Sequence, residues 1–141
     1  MAMHVDGGCF CGAITWEATI DEDFVAICHC RDCQVLSGSA FRTVGIASMD
    51  AFRFTSGEPK HFSKTGDSGN ERDMAFCGDC GTHLCSLPGE NQAGDPQFVS
   101  IRLSTSRQFA ELRPSAELFC DSKLAWMRPI EGAQTFPGMP G

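Results

Sequence analysis

The sequence has 141 residues, a length that is enough to bury a core without disulfides. Its composition, 42% hydrophobic and 21% charged, is ordinary for a globular protein. No apolar run approaches the ~20 residues that cross a bilayer, and the start shows no secretory signal, so we expect a cytoplasmic protein without a membrane segment. The formal net charge of -7 disfavours binding to phosphate backbones, so nucleic acid is not an expected partner.

Short strands dominate the predicted elements. Apolar Ile14, Trp16, Ala18 and Ile20 alternate with polar residues, which predicts the first strand. Further strands are predicted at 24–28, 40–47, 60–63, 73–76, 82–87, 97–103 and 116–120, a helical turn at 32–36, and loops at 64–71 and 88–96. With 15 glycines as turn residues, the pattern predicts one all-β domain over residues 1–141.

The last stretch, EGAQTFPGMPG, is interrupted by proline and glycine, so it is predicted to form no regular element. It either wraps around the body or extends freely, and Phe136 favours wrapping.

Seven of the nine cysteines fall into three clusters with the spacing of metal ligands. In a C-x-C on extended backbone both sulfurs share a face, and in a C-x-x-C the turn presents both. The clusters are GCFCG (Cys9, Cys11), CHCRDC (Cys28, Cys30, Cys33) and FCGDCG (Cys77, Cys80). A reducing compartment favours metal binding at such clusters over disulfides.

Counting ligands suggests two different sites. The C-x-C at Cys9 and the C-x-x-C at Cys77 together supply four thiolates, as in a structural zinc site, although spacing does not fix which clusters pair. The central cluster has three sulfurs, and three protein ligands with an exchangeable position is typical of catalytic zinc.

Other interpretations use the same residues. Disulfides and a C-x-x-C redox pair are possible, and two closed structural sites would result if Cys85, Cys120 or a histidine supplied an eighth ligand. Otherwise Cys85 and Cys120 are expected to be small buried side chains. His29 points away from its flanking cysteines on extended backbone, so we expect it behind the ligands or at the surface. His61 and His83 are expected to be packed or exposed.

The clusters, together with CHCRDCQVLSGSAF, FCGDCGTHL, SKLAW and FPGMP, resemble the glutathione-dependent formaldehyde-activating enzyme (GFA) family, which includes the centromere protein V group. The resemblance covers residues from about 7 to 140. It implies an all-β, Mss4-like fold of short coiled antiparallel sheets organised around zinc.

The resemblance also implies two zinc ions per chain. The structural ion maps onto Cys9, Cys11, Cys77 and Cys80, and the catalytic-type ion with an open position onto Cys28, Cys30 and Cys33. Three matching residues of the family motif would sit beside the second ion as neighbours: Ser37, Gly38 and Phe41.

The implied activity is that of a carbon–sulfur lyase on a small thiol–aldehyde adduct, with formation of S-hydroxymethylglutathione from formaldehyde and glutathione as the namesake reaction. Glutathione would be a co-substrate, and an anionic substrate needs cations near the site. The candidates are Arg31, Arg42, Lys60, Lys64 and Arg72. The alternative from another class is a non-catalytic, zinc-stabilised binding module with two closed structural sites.

Overall fold

A computed structural model describes residues 1–66, 69–89 and 97–140. Its strands are β1 (Ala2–Gly8), β2 (Thr15–Asp21), β3 (Val25–Cys28), β4 (Arg42–Ser48), β5 (Phe52–Ser56), β6 (Lys60–Thr65), β7 (Glu71–Phe76), β8 (His83–Pro88), β9 (Phe98–Arg102), β10 (Ala116–Leu118) and β11 (Gln134–Thr135). Helix α1 spans Arg31–Ser37, and short 3-10 helices lie at Met49–Ala51, Leu103–Thr105, Phe109–Glu111 and Cys120–Ser122. No helix in the described ranges has the length and apolarity needed to cross a membrane.

The strands form two sheets. One has the order β1-β2-β5, and the other has the order β11-β10-β3-β4-β9-β8-β7-β6. Neighbouring strands are antiparallel, except that β10 runs parallel to both β3 and β11. The all-β prediction is confirmed, with these two parallel pairings as a local departure from antiparallel sheets.

The main core lies between the two sheets. On β2 the alternation predicted from sequence places Trp16, Ala18 and Ile20 inward, where they are at most 3% exposed. They pack in one cluster with residues of the larger sheet such as Leu84 and Ile101. The Trp16 indole Nε1 donates a hydrogen bond to Thr105 Oγ1 at 3.1 Å, so the only polar atom of this buried ring is satisfied.

A second, smaller core lies around β3, β10 and β4 of the large sheet. Strand β3 is buried along its whole length, as expected for a short strand with neighbours on both sides. The members of this core are Ala26, Cys28, Cys33, Val44, Ala116 and Leu118. Two of the cysteines of the central cluster are therefore held in packed surroundings.

The predicted strands and the helical turn are all found, with small shifts at their ends. The last predicted strand, 116–120, stops at Leu118, because Phe119 adopts a positive φ of 55° and a 3-10 helix begins at Cys120. Strands β1, β5 and β11 were not predicted. The loop predicted at 64–71 begins and ends within β6 and β7, and residues 67–68 lie outside the described ranges. Of the loop predicted at 88–96, residue 88 ends β8 and 90–96 lie outside those ranges.

The C-terminal stretch wraps around the body, as Phe136 suggested. Phe136 packs against the second core, and its carbonyl accepts a hydrogen bond from the Cys120 amide at 2.9 Å. The prediction that this stretch has no regular element is wrong for Gln134–Thr135, which pairs with β10. Pairing with an existing strand edge overrides the weak strand propensity of so short a segment.

Gly7 gives a direct test of how closely β1 approaches the rest of the molecule. A Cβ at this position would overlap the backbone carbonyl oxygen of Thr105, which cannot move aside as a flexible side chain can. We expect Gly7→Ala to lower the free energy of unfolding by about 2 kcal/mol or more. Gly138→Ala is the matched control, because a Cβ there meets nothing within 4 Å. Equal unfolding curves for the two variants in urea would contradict this packing.

Candidate metal centres

The first cysteine cluster joins two turns from different sheets. Cys9 and Cys11 lie in the turn between β1 and β2, and Cys77 and Cys80 lie in the turn between β7 and β8. All four sulfurs are within 4.8 Å of one another. The Cys9–Cys11 and Cys11–Cys77 Sγ distances are 3.7 Å and 3.8 Å. Sulfurs at 2.3 Å from a tetrahedral zinc ion are about 3.8 Å apart, so the donor set fits this ion.

Local hydrogen bonds orient these sulfurs. The Ile14 amide donates to Cys9 Sγ at 3.3 Å, and the hydroxyl of Thr82 lies 3.1 Å from Cys80 Sγ. The hydrogen bond with the Thr82 side chain, followed by those from backbone amides, lowers the pKa of Cys80 to about 5. Gly81 follows with a φ of 79°, a left-handed conformation that turns the chain back toward β8.

The second cluster is built where β3 passes into α1. Cys28 ends β3, Cys30 caps the helix and Cys33 lies in its first turn. The Cys33 amide donates to Cys30 Sγ at 3.3 Å, so the capping group is itself a proposed ligand. The three sulfurs lie within 4.8 Å of one another, with Cys28 and Cys33 buried and Cys30 half-buried.

Charge and hydrogen bonding favour a thiolate in this cluster. The pKa of Cys30 is lowered, first because Cys28 and Cys33 donate hydrogen bonds to its sulfur and further because Arg42 is nearby. Arg42 Nη2 also donates directly to Cys33 Sγ at 3.0 Å. A deprotonated sulfur is the form that binds metal.

Neither remaining cysteine completes the second cluster. Cys85 lies in β8 within the main core, where burial raises the pKa of its thiol to about 12. Cys120 lies instead with His29 and Glu117. Within the described ranges, no other His, Cys, Asp or Glu joins the three sulfurs at this spacing. All nine cysteines are free, so the disulfide alternative has no support in the structure.

A buried ion-pair network stands behind the second cluster. His29 Nε2 lies 2.9 Å from Glu117 Oε1, and Lys123 Nζ donates to the same oxygen at 2.9 Å. The Ile130 amide donates to Glu117 Oε2 at 3.0 Å. Burial acts to raise the pKa of Glu117, but these hydrogen bonds outweigh it and lower the pKa. Both carboxylate oxygens of Glu117 are thus already hydrogen-bonded within the protein. We therefore interpret His29, Glu117 and Lys123 as an ion-pair network.

His29 therefore lies behind the proposed ligands, and the surface alternative for it is wrong, because the side chain is fully buried. His61 and His83 were expected to be packed or exposed, and both are. His61 Nδ1 pairs with Asp73 at 2.9 Å near the surface, and His83 is half-buried and stacked on Phe76.

A cleft of about 450 Å³ is lined by residues that contact a cysteine of each cluster. Its wall includes Arg42, which contacts Cys33, and Thr82, which contacts Cys80. Ser37 and Phe41 also line the cleft, while Gly38 ends α1 with a φ of 64°. This volume is in the range of small-molecule sites.

Among the five cations suggested from sequence, Arg42 lines this cleft. Two of the others have partners elsewhere: Lys64 pairs with Asp32 at 2.8 Å, and Arg72 donates to the Ser86 and Phe98 carbonyls. Arg31 and Lys60 are likewise not in the cleft wall. The sequence analysis missed Arg102, which is 3% exposed and lines the cleft. The signal for it was an arginine at the end of a mostly apolar strand, FVSIR.

The family model described as glutathione-dependent formaldehyde-activating enzyme matches residues 4–122. The chain belongs to this family. The match includes all seven clustered cysteines and both arginines of the cleft. The resemblance stated from the sequence motifs is confirmed over residues 4–122, and SKLAW and FPGMP extend beyond the end of this match.

The chain is also similar to one curated protein and to one solved structure. A protein of Schizosaccharomyces pombe named as an uncharacterized lyase is 32% identical over 79 residues, which are 56% of this chain and 54% of that protein. The chain therefore spans about half the length of this curated relative. A crystal structure of a Rhodobacter sphaeroides protein matches with a TM-score of 0.54 and 17% identity, over 71% of this chain and 85% of that one. At this identity the likeness shows the fold alone.

Proposed function

We propose that this GFA family member is a zinc-dependent carbon–sulfur lyase that acts on a small thiol–aldehyde adduct. The observation that carries the proposal is the second cluster, where three sulfurs converge beside a cleft and no fourth protein ligand joins them among the described residues. Three ligands with an exchangeable position is the pattern of catalytic zinc sites. The family description and the lyase name of the relative support the same chemistry.

The proposal assigns two zinc ions to one domain that spans the chain. Cys9, Cys11, Cys77 and Cys80 would hold the structural ion, and Cys28, Cys30 and Cys33 the catalytic-type ion. The sulfur spacing of the first cluster supports zinc there. The alternative of a binding module with two closed sites requires an eighth ligand, and Cys85, Cys120 and His29 all lie in other surroundings.

In the namesake reaction, the sulfur of glutathione attacks the carbon of formaldehyde. The sulfur–carbon bond forms, the carbonyl double bond becomes a single bond, and the proton lost by the thiol ends on the oxygen. Zinc bound at such a site supplies Lewis-acid activation, which makes the thiolate available near neutral pH.

The protein contributes position and charge to this chemistry. The β3–α1 junction fixes the three cysteines, and the buried network of His29, Glu117 and Lys123 supports that junction from behind. Arg42 offsets negative charge at Cys33 through its hydrogen bond. The cleft is linked to the cluster through Arg42, which lines the cleft and contacts Cys33.

Exchange NMR tests the proposal directly. Zinc-loaded protein is expected to accelerate exchange between free formaldehyde and S-hydroxymethylglutathione, relative to a sample without protein and a sample with an equal concentration of free zinc. If the exchange rate equals that of both controls for glutathione and for other small thiols, the lyase proposal fails.

A further inference from the structure

Two arginines in the cleft wall have no acidic partner. Arg42 and Arg102 both line the cleft, and none of the described residues that line it is an Asp or a Glu. Within the described ranges, neither guanidinium takes part in an ion pair. Two cations held side by side in a protein wall are unfavourable unless an anion compensates them.

Their hydrogen bonds are also incomplete. Arg102 Nη1 donates to the Ser100 carbonyl and hydroxyl at 3.2 and 3.1 Å, but its Nε is buried and has no partner among the described residues. Arg42 Nη2 donates to Cys33, while its Nε and Nη1 are buried without described partners. Unsatisfied donors on buried charged groups are costly, so such groups are commonly found where a ligand or water completes them.

The pKa of Arg102 reflects the same surroundings. Burial, and then the positive charge of Arg42, lower it to about 9, which leaves the side chain charged at neutral pH. The guanidinium is therefore a desolvated cation, and an anion reaching it would interact more strongly than in water.

The proposed zinc site offsets only part of this charge. Three thiolates on Zn²⁺ carry one net negative charge, whereas the two arginines carry two positive charges. One positive charge remains before a substrate binds, which favours an anionic ligand in the cleft. Ser39, Thr43 and Ser104 line the same cleft, and hydroxyl-bearing residues suit a polar substrate.

We propose that the cleft is a carboxylate subsite, in which Arg102 and Arg42 bind an acidic group of the substrate. The inference rests on the proposed lyase function and narrows its substrates to thiols that carry a carboxylate. Because Arg42 also contacts Cys33, a carboxylate bound there lies close to the cluster at which the thiol reacts. Both glutathione and a small mercapto acid carry this chemistry.

Binding of unreactive thioethers tests the subsite without turnover. S-methylglutathione and 3-(methylthio)propionate have no thiol, and their alkyl esters have no carboxylate. We expect calorimetric titration of zinc-loaded protein to show at least one acid binding at least about tenfold more tightly than its ester, since charge-assisted hydrogen bonds are lost in the ester. Preference for the first pair identifies a glutathione site, and preference for the second a site for a small acid. Equal affinities within both pairs would overturn the subsite.

Arg102→Met should remove most of the preference, and Arg102→Lys should restore part of it. Arg53→Met is the matched control, because it removes the same charge from an exposed position outside the cleft. A folded Arg102→Met protein that keeps the full preference for the acid over the ester would show that Arg102 does not bind the carboxylate. If that variant does not fold, as judged by circular dichroism, the comparison of acid with ester on the wild-type protein still tests whether the carboxylate subsite exists. Acid-selective binding without any turnover would instead uphold the subsite and reject the lyase function.

Discussion

A Cys77→Ser variant is expected to bind one zinc ion fewer per chain and to melt at a much lower temperature. Cys77 is 1% exposed and its sulfur lies 3.8 Å from that of Cys11, so the variant removes one corner of the proposed tetrahedron. Structural zinc contributes its binding free energy to folding, about 10–16 kcal/mol in isolated zinc fingers. Because this chain also has its own hydrophobic core, we expect the free energy of unfolding to fall by a smaller amount, several kcal/mol.

The size of this effect follows from where the cluster lies. One pair of cysteines belongs to the turn between β1 and β2, and the other belongs to the turn between β7 and β8. Cys11 and Cys77, which meet in this cluster, are 66 residues apart in the sequence. An ion bound there links the two sheets directly and closes a long loop, whose entropy cost is otherwise borne by packing alone. Losing the ion therefore weakens the contact between the sheets as well as the turns.

Zinc analysis by mass spectrometry and thermal melting by circular dichroism measure both parts of this prediction. Cys120→Ser is the matched control, since Cys120 is half-buried and lies outside both proposed sites. Unchanged zinc content and melting temperature in Cys77→Ser would show that this cluster does not hold structural metal.

Local patterns predicted much of this fold because they depend on neighbouring residues. The alternation of β2 and the turn of the C-x-x-C cluster follow from spacing within a few residues, whereas Cys9 and Cys11 lie in a turn and not on the extended backbone expected for a C-x-C. Strand β1 was missed because one of its inward-facing positions is Gly7, which has no side chain to give an apolar signal. Strand β11 exists only because β10 offers it an edge.

The surroundings of the sites depend on contacts that spacing does not contain. His29 and Glu117 meet across 88 residues through the parallel pairing of β3 and β10. Cys85 is only two residues from His83, yet the register of β8 against β7 and β9 directs it into the main core. The role of Arg102 could not be predicted from β9 alone, because the cleft that it lines is formed by several distant segments.

We expect Cys30→Ser to abolish acceleration of the thiol–formaldehyde exchange while the protein stays folded. Cys30 is half-buried at the start of α1 and packs against the second core without being one of its buried members, and the first cluster does not include it. Serine caps helices well, so the hydrogen bond from the Cys33 amide has an acceptor in the variant. The effect on stability should therefore be limited to the loss of one zinc ion at the second cluster.

The rate should fall by more than about 100-fold, because loss of a metal ligand exceeds the 10–100-fold cost of losing a residue that merely supports one. Cys30→Ala separates the two roles of the residue: it should be equally inactive and also less stable than Cys30→Ser by about 1 kcal/mol, since alanine cannot cap α1. Exchange NMR, zinc content and melting curves on both variants give the three readouts. A Cys30→Ser protein that has lost one zinc ion but still accelerates exchange would place the chemistry elsewhere, because the only sulfur of the cluster that is not fully buried would then be dispensable.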